Sequence, residues 1–413
     1  MDSAAPAGFE RRPRVLLAIS AEPAADLRAA IAAGREPRRD YFALQDALAA
    51  DLLTPAAAAA TPMGRLLSRF GGRAAALAWA AFVRRHAYDA IYTDAENVGL
   101  PLALLLRYSR ARAGRPRHVM LTHYLSPAKK RVFFRLGAGT RIDALIVHSA
   151  AQGELARQTL DMPAPRVIYL PYFADERFWL AAPGGEAPHA RPMICAVGLE
   201  FRDYGTLLSA VRDLPVDLRI GAASNWSHHS AFEGSPELPP NVHVHSYAYL
   251  PLRQLYAAAR FVVVPLQDVD NQAGITVILE AMAMGKAVVV SGTRGQTDVV
   301  RDRLNAGRGP VERVWWPGFV DAPAVAATLG HLPTGFYVRP GDAADLRRAI
   351  QYLLDHPKVA EELGRNGRRV VEALFGLDAF TARFAAVIRG EQAPLVAPGE
   401  SLPASSDAEI PAR

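Results

Sequence analysis

Residues 262–291 (VVVPLQDVDNQAGITVILEAMAMGKAVVVS) carry the pattern with the clearest chemistry. An apolar strand ends at Pro265, an irregular polar loop follows, and an apolar helix begins at Gly274. A loop that ends in glycine just before a helix presents unpaired backbone N–H groups at the positive end of the helix dipole, a ready seat for phosphate. Glu280 lies in that helix among Ile275, Val277, Ile278, Leu279 and Met282. A carboxylate in such company needs a partner or a ligand hydroxyl. A capping turn with a salt-bridged glutamate would leave the same letters. Upstream, Arg202 follows another apolar strand, beside Asp203, with which it could pair at the surface.

The elements that must position these residues come in two series. Short apolar runs at 14–19, 90–92, 118–122 and 144–148 read as buried strands, with helical spacing at 43–53, 66–85 and 100–112 between them. That alternation predicts a parallel sheet covered by helices on both faces. A Pro-, Gly- and Ala-rich stretch at 181–192 reads as an interdomain linker. A second series follows, with strands expected at 193–197, 217–220, 242–245, 261–265 and 287–291 and helices at 206–212, 252–259 and 274–284. The rhythm breaks at about 301–334, which reads as an insertion, resumes at 335–338, and closes with helices at 343–354, 358–374 and 378–389. The expected organisation is an α/β chain with a first domain over 1–185, a second over 186–375, a terminal helix over 376–391 that packs back on the first domain, and a disordered tail over 392–413. Ligands of open parallel sheets sit beyond the carboxyl ends of the strands, so two facing domains imply a site in the cleft between them.

Composition narrows the field. The chain has 413 residues, enough for two or three domains. Half are hydrophobic and 21% charged, and mean hydropathy is +0.04, which excludes a disordered or collagen-like chain. The single cysteine, Cys195, excludes an internal disulfide framework and any cysteine-rich zinc module, so a reducing cytoplasm is the expected location. A net charge of +6 points to anionic partners, although only four of the 47 basic residues are lysines, a bias that coding composition explains as well as function does. The start of the chain lacks an apolar core, and no apolar run reaches about 18 residues, so neither a signal peptide nor a spanning helix is expected.

The segment 262–291 resembles the donor site of retaining GT-B glycosyltransferases of family four, the glycosyl transferases group 1. In that family seven residues separate two glutamates, the second of which lies in the phrase LEAMAxG. Here residues 279–285 read LEAMAMG, so the resemblance implies that Glu280 binds the ribose hydroxyls of a nucleotide. Gly274 matches the family's glycine, and Ile275 and Thr276 follow it on the helix. The first acidic position is Gln272, which can still bond sugar hydroxyls but carries no charge. The segment 196–207 (AVGLEFRDYGTL) resembles the phosphate-contacting loop of the family's second domain. Leu199 and Tyr204 replace its usual basic residues, and Arg202 stands beside them as the diphosphate clamp. Tyr247 and Tyr249 fall where members contact the base. The segments 340–342 (PGD) and 170–178 (LPYFADERF) match further family phrases. In the first domain, 119–124 (VMLTHY) resembles the strand that delivers a histidine to the cleft, which makes His123 a contact to the donor sugar or phosphate. His118 and His148 read as ordinary strand or core histidines. The family's glycine-rich first loop is replaced by 20–26 (SAEPAAD), so its contacts do not transfer. Asp94 and Glu96 could face the acceptor or cap a helix.

The resemblance implies a hexosyltransferase-like enzyme that moves a sugar from a nucleotide diphosphate sugar to an acceptor with retention. No metal or other cofactor is expected, because Arg202, the Gly274 helix end and Lys286 would stabilise the leaving diphosphate; Asp268 and Asp270 read as a loop pair. Two basic clusters, Arg65, Arg69, Arg73, Arg84 and Arg85, and Lys129, Lys130, Arg131 and Arg135 with Phe133 and Phe134, would suit peripheral binding to anionic lipid or form a solvated face. The acceptor stays open among lipid-linked, polysaccharide and small-molecule classes, and nucleic acid is not expected. The alternatives are a catalytically weak nucleotide-sugar-binding protein, motivated by Gln272, and a nucleotide-sugar epimerase on the same fold.

Overall fold

The computed structural model describes residues 13–109, 115–180, 191–222, 238–296, 298–302 and 332–391. Most of the expected linker, most of the expected insertion at 301–334 and the tail from 392 lie outside them. Two parallel six-stranded sheets form the frame. The first runs β2-β1-β3-β4-β5-β6, with β1 Val15–Ala18, β2 Asp51–Leu53, β3 Ala90–Thr93, β4 Arg117–Thr122, β5 Ala144–Val147 and β6 Val167–Tyr169. The second runs β12-β11-β10-β7-β8-β9, with β7 Met193–Val197, β8 Asp217–Gly221, β9 Val242–His245, β10 Phe261–Val264, β11 Ala287–Ser291 and β12 Gly335–Val338.

Both faces of each sheet are covered, which is why the strands are continuous apolar runs. Along β1 the alternation of a strand sends Val15 and Leu17 into one core and Leu16 and Ala18 into another. Along β7 Met193, Cys195 and Val197 join one core while Ile194 and Ala196 join the opposite one. The chain crosses between the halves twice. The second crossing passes Gly376, whose neighbour Phe375 accepts a backbone hydrogen bond from Ala174, and the helix Leu377–Arg389 then packs on the first sheet. Phe384 is fully buried there, edge-on to Tyr92 at 5.5 Å, with Leu377, Phe380 and Ile388 beside it. Arg38 ties this junction together by bonding the carboxylates of Asp175 and Asp378.

Several sequence expectations are corrected. The helix expected at 43–53 ends at Leu48, Ala49 turns left-handed (φ 50°), and Asp51–Leu53 becomes edge strand β2. The helix expected at 66–85 is two helices, Pro62–Phe70 and Gly72–Arg84, broken where Gly72 takes φ 82°. The terminal pair is Pro357–Val370, ending in a wider π turn at Val371–Phe375, and then Leu377–Arg389.

Candidate active site

The C-terminal ends of β4, β5, β7 and β10 open onto one cleft between the two sheets, with a cavity of about 530 Å³. That size suits a small-molecule ligand. The first half contributes Thr122, His123, His148, Ser149, Gln152 and Tyr172, and the second contributes the loop Gly198–Arg202, Tyr247 and the stretch from Asn271 to Val277.

The second-half wall is built by two loops stitched together. Arg202 pairs with Leu266 as an isolated antiparallel bridge, Asp203 N–H donates to the Pro265 carbonyl, and Gln267 N–H donates to that of Phe201. Asp203 is not the partner of Arg202. Its carboxylate caps the helix Tyr204–Val211 by accepting from the backbone and hydroxyl of Thr206. The Arg202 guanidinium instead folds back on its own loop, donating from Nε to Val197 O at 2.9 Å and from Nη1 to Glu200 O at 2.9 Å. Burial lowers its pKa, but an arginine remains charged. Nη2 has no hydrogen-bond partner or carboxylate among the described residues.

Two glycines make room for this group. Gly198 takes φ 107°, and a Cβ there would lie 2.3 Å from Arg202 Nη2. Gly274, the N-cap of the helix Ile275–Ala283, takes φ 77°, and a Cβ there would meet Val264 at 2.8 Å and Arg202 Nη1 at 3.6 Å. A cation therefore sits between two backbone approaches and beside the open first turn of a helix, an arrangement suited to a diphosphate. Gly198→Ala is expected to displace the guanidinium and to lower nucleotide affinity about tenfold, the scale of one charge-assisted hydrogen bond. Calorimetric titration with UDP checks this.

Of the other residues singled out in the sequence, Gln272 lines the cleft, and its Oε1 is buried without a partner, as is Asn271 Oδ1. Ile275 and Thr276 line the cleft in the helix's first turn. Tyr247 lines it with an unpartnered hydroxyl, whereas Tyr249 does not: its ring lies under Arg39, 4.9 Å from the guanidinium. Lys286 is also placed elsewhere, bonded to the Ala257 carbonyl at 2.7 Å. Glu280 stands behind the cleft wall, one turn beyond Thr276, and accepts from the Tyr256 hydroxyl at 3.0 Å. Burial pushes its carboxyl up to about 8.

On the opposite wall His123 is exposed to the cleft, with Nε2 3.1 Å from the Asp94 carbonyl. Behind it the Asp94 carboxyl accepts from Ser20, and burial pushes it up to about 6. Neither Asp94 nor Glu96 caps the helix Glu96–Tyr108; Glu96 is buried against Lys130 and accepts from His123 N–H. His118 is a fully buried strand residue, as its sequence suggests. His148 departs from expectation. It lines the cleft, its Nδ1 lies 2.7 Å from Leu170 O, and its Nε2 is buried without a partner. A carbonyl only accepts, so Nδ1 carries the proton. Burial pushes the ring's pKa down to about 3, leaving a neutral imidazole whose Nε2 can accept from a ligand hydroxyl. The strand-end position that singled out His123 applies equally to His148 at the end of β5. Among the described residues no three His, Cys, Asp or Glu side chains converge to hold a metal ion.

Residues 207–313 match the family model of glycosyl transferases group 1. No curated protein matches the chain. Among solved structures, the sucrose-phosphate synthase of Thermosynechococcus elongatus aligns over 92% of this chain and 99% of its own with a TM-score of 0.62 and 19% identity. HepE of Anabaena, solved with UDP and glucose, aligns over 91% and 99% with a TM-score of 0.59 and 17% identity. A glycosyltransferase of Rickettsia africae aligns over 92% and 99% with a TM-score of 0.63 and 12% identity. The chain has the GT-B fold, and the resemblance seen in its sequence is borne out by the match over 207–313.

Proposed function

We propose that this GT-B chain is a glycosyltransferase that moves a sugar from a nucleoside diphosphate sugar to an acceptor with retention of configuration, and that it acts in the cytoplasm, where the buried thiol of Cys195 stays free. The observation that carries this reading is Arg202, held between Gly198 and Gly274 at the mouth of the helix Ile275–Ala283. Departure of a nucleoside diphosphate builds negative charge on the phosphate oxygens, and a preorganised cation with first-turn amides stabilises it as it forms. This assigns the charge to protein groups and asks for no metal. Structures of Anabaena HepE carry UDP and UDP-glucose, which supports a nucleotide sugar as the donor class. Gln272, Asn271, His123 and His148 then surround the sugar and the acceptor hydroxyl. Incubation with a panel of nucleotide sugars should give slow hydrolysis with at least one donor and transfer when the acceptor is supplied.

The second reading, a protein that binds nucleotide sugars without turning them over, is favoured by one feature, the neutral Gln272. Binding without hydrolysis or transfer across the panel would establish it. In the enzyme reading, Gln272→Glu is expected to change sugar preference or rate by roughly tenfold while leaving UDP affinity within about twofold, because one hydrogen bond to the sugar changes from neutral to charged. Parallel donor kinetics and UDP titration separate the two effects.

A further inference from the structure

The first half carries a surface that the cleft chemistry does not use. From Asp51 to Asp89 the sequence has five arginines and no acidic residue between these two aspartates, and from Glu96 to Asp143 it has ten basic residues and none acidic between them. Among described residues Arg65, Arg69, Arg73, Lys129, Arg131 and Arg135 have no ion-pair partner, whereas Lys130 is drawn inward to Glu96. The helix Pro62–Phe70 divides its surface into three sectors. Gly64 is buried, its Cα pressed against the Ala58 carbonyl. Arg65 and Arg69 lie on the far side. Met63, Leu66 and Phe70 share the third sector and are 46, 51 and 77% exposed. Leu67, at the border of the buried sector, is one wall of an apolar groove completed by Trp79, Phe82, Leu105, Tyr108 and Phe133. The groove measures about 600 Å³, and Tyr108 in its lining is itself exposed.

A soluble partner with acidic side chains would answer the arginines but leave Phe70 and its neighbours against polar surface. A neutral apolar partner would leave the cations unanswered. We propose that this face docks on an anionic phospholipid membrane, with Met63, Leu66 and Phe70 among the acyl chains, Arg65, Arg69 and Arg73 at the phosphates, and one lipid chain in the groove. No helix among the described residues is long and apolar enough to cross a membrane, so the attachment is to one leaflet. The helix Ala128–Arg135, which follows the His123 strand end, supplies Phe133 to the groove, so docking holds the cleft at a fixed height above the lipid. Membrane docking goes beyond sugar transfer and does not depend on it.

The full chain is tested by cosedimentation with vesicles of phosphatidylcholine alone and of phosphatidylcholine mixed with phosphatidylglycerol. The expected result is binding to the mixed vesicles only, falling steeply with added salt. The triple variant Arg65→Gln, Arg69→Gln, Arg73→Gln should bind on the order of 100-fold more weakly, about fivefold per cation. The double variant Leu66→Ser, Phe70→Ser should lose a similar factor, about tenfold per apolar side chain. Vesicles with brominated chains should quench tryptophan emission more in the wild type than in Trp79→Phe. UDP titration of each variant reports the cleft separately. Absence of wild-type binding to mixed vesicles, equal binding to neutral vesicles, or an unchanged Leu66→Ser, Phe70→Ser variant would overturn the proposal; the last outcome would indicate an acidic protein or nucleic-acid partner. Equal quenching in Trp79→Phe would overturn the occupied groove.

Discussion

Arg202→Met is expected to slow sugar transfer on the order of 10²–10³-fold in kcat with the fold intact, the scale seen when one preorganised donor to a developing anion is removed. Methionine keeps the unbranched stem of the side chain and stops short of the guanidinium, so nothing is pushed against the walls made by Gly198 and Gly274. What disappears is the charge and the free edge of the guanidinium. The carbonyls of Val197 and Glu200 lose their donors as well. That costs about 1–3 kcal/mol, a fall in Tm of roughly 1–4 °C for a chain of this length. Arg202→Lys restores a charge without the planar fork and should recover only part of the rate. Steady-state kinetics with the best donor, beside thermal melts of the three proteins, decide the matter. An unchanged kcat in Arg202→Met would remove the arginine from the reaction.

Under the proposed function, in which the Glu280 carboxylate accepts from the ribose hydroxyls of the donor, Glu280→Ala is expected to weaken nucleotide binding by about 100-fold or more. The pH dependence gives a finer test. Burial raises the Glu280 pKa from 4.5 to about 8, so between those values the folded chain holds a proton that the unfolded chain releases. The group therefore makes the fold less stable as pH rises through that window. Glu280→Gln removes the dependence, and the variant should be as stable as the wild type near pH 5 and more stable near pH 8. Ribose hydroxyls donate best to the ionised form. Wild-type affinity for UDP should accordingly rise from pH 7 to pH 9, while that of Glu280→Gln stays low and flat. A variant both less stable at pH 8 and unaltered in affinity would reduce Glu280 to a structural partner of Tyr256. The raised pKa is the mark of a group kept at a cost to stability, common at functional sites.

Much of the frame was legible because helices on both faces of a parallel sheet demand fully apolar strands, and runs such as FVVV and AVVVS satisfy nothing else. Strand β2 was not legible: three residues beside a helix ending at an alanine leave no periodicity to read. In the site, Gln272, Gly274 and Arg202 stood out because a polar loop, a glycine and an arginine interrupt apolar runs. His148 did not, since a histidine closing a buried strand looks the same whether it faces a core or a cleft; only the approach of the second sheet's loops makes it the latter. Lys286 and Tyr249 show the converse error. Their types suit phosphate and base, but each side chain finds a nearer partner, the Ala257 carbonyl and the Arg39 guanidinium. The exposed stripe on Pro62–Phe70 became visible only once Gly72 was seen to split the expected long helix into two.

The helix Leu377–Arg389 covers a face of a sheet whose strands are all made in the first half of the chain. On the ribosome, Val15, Leu17, Tyr92 and Val119 have only the early helix Asp40–Leu48 to cover them, through Leu44 and Leu48, until Phe380 and Phe384 are made more than 260 residues after Val119. The second sheet, whose own cover is complete by Phe375, can close while the first is still open. Folding in the cell therefore runs against the usual order of synthesis, N-terminal unit first. A nascent chain stalled before residue 377 would display a partly uncovered apolar sheet face for chaperones to bind, and synthesis of Leu377–Arg389 would supply what buries it.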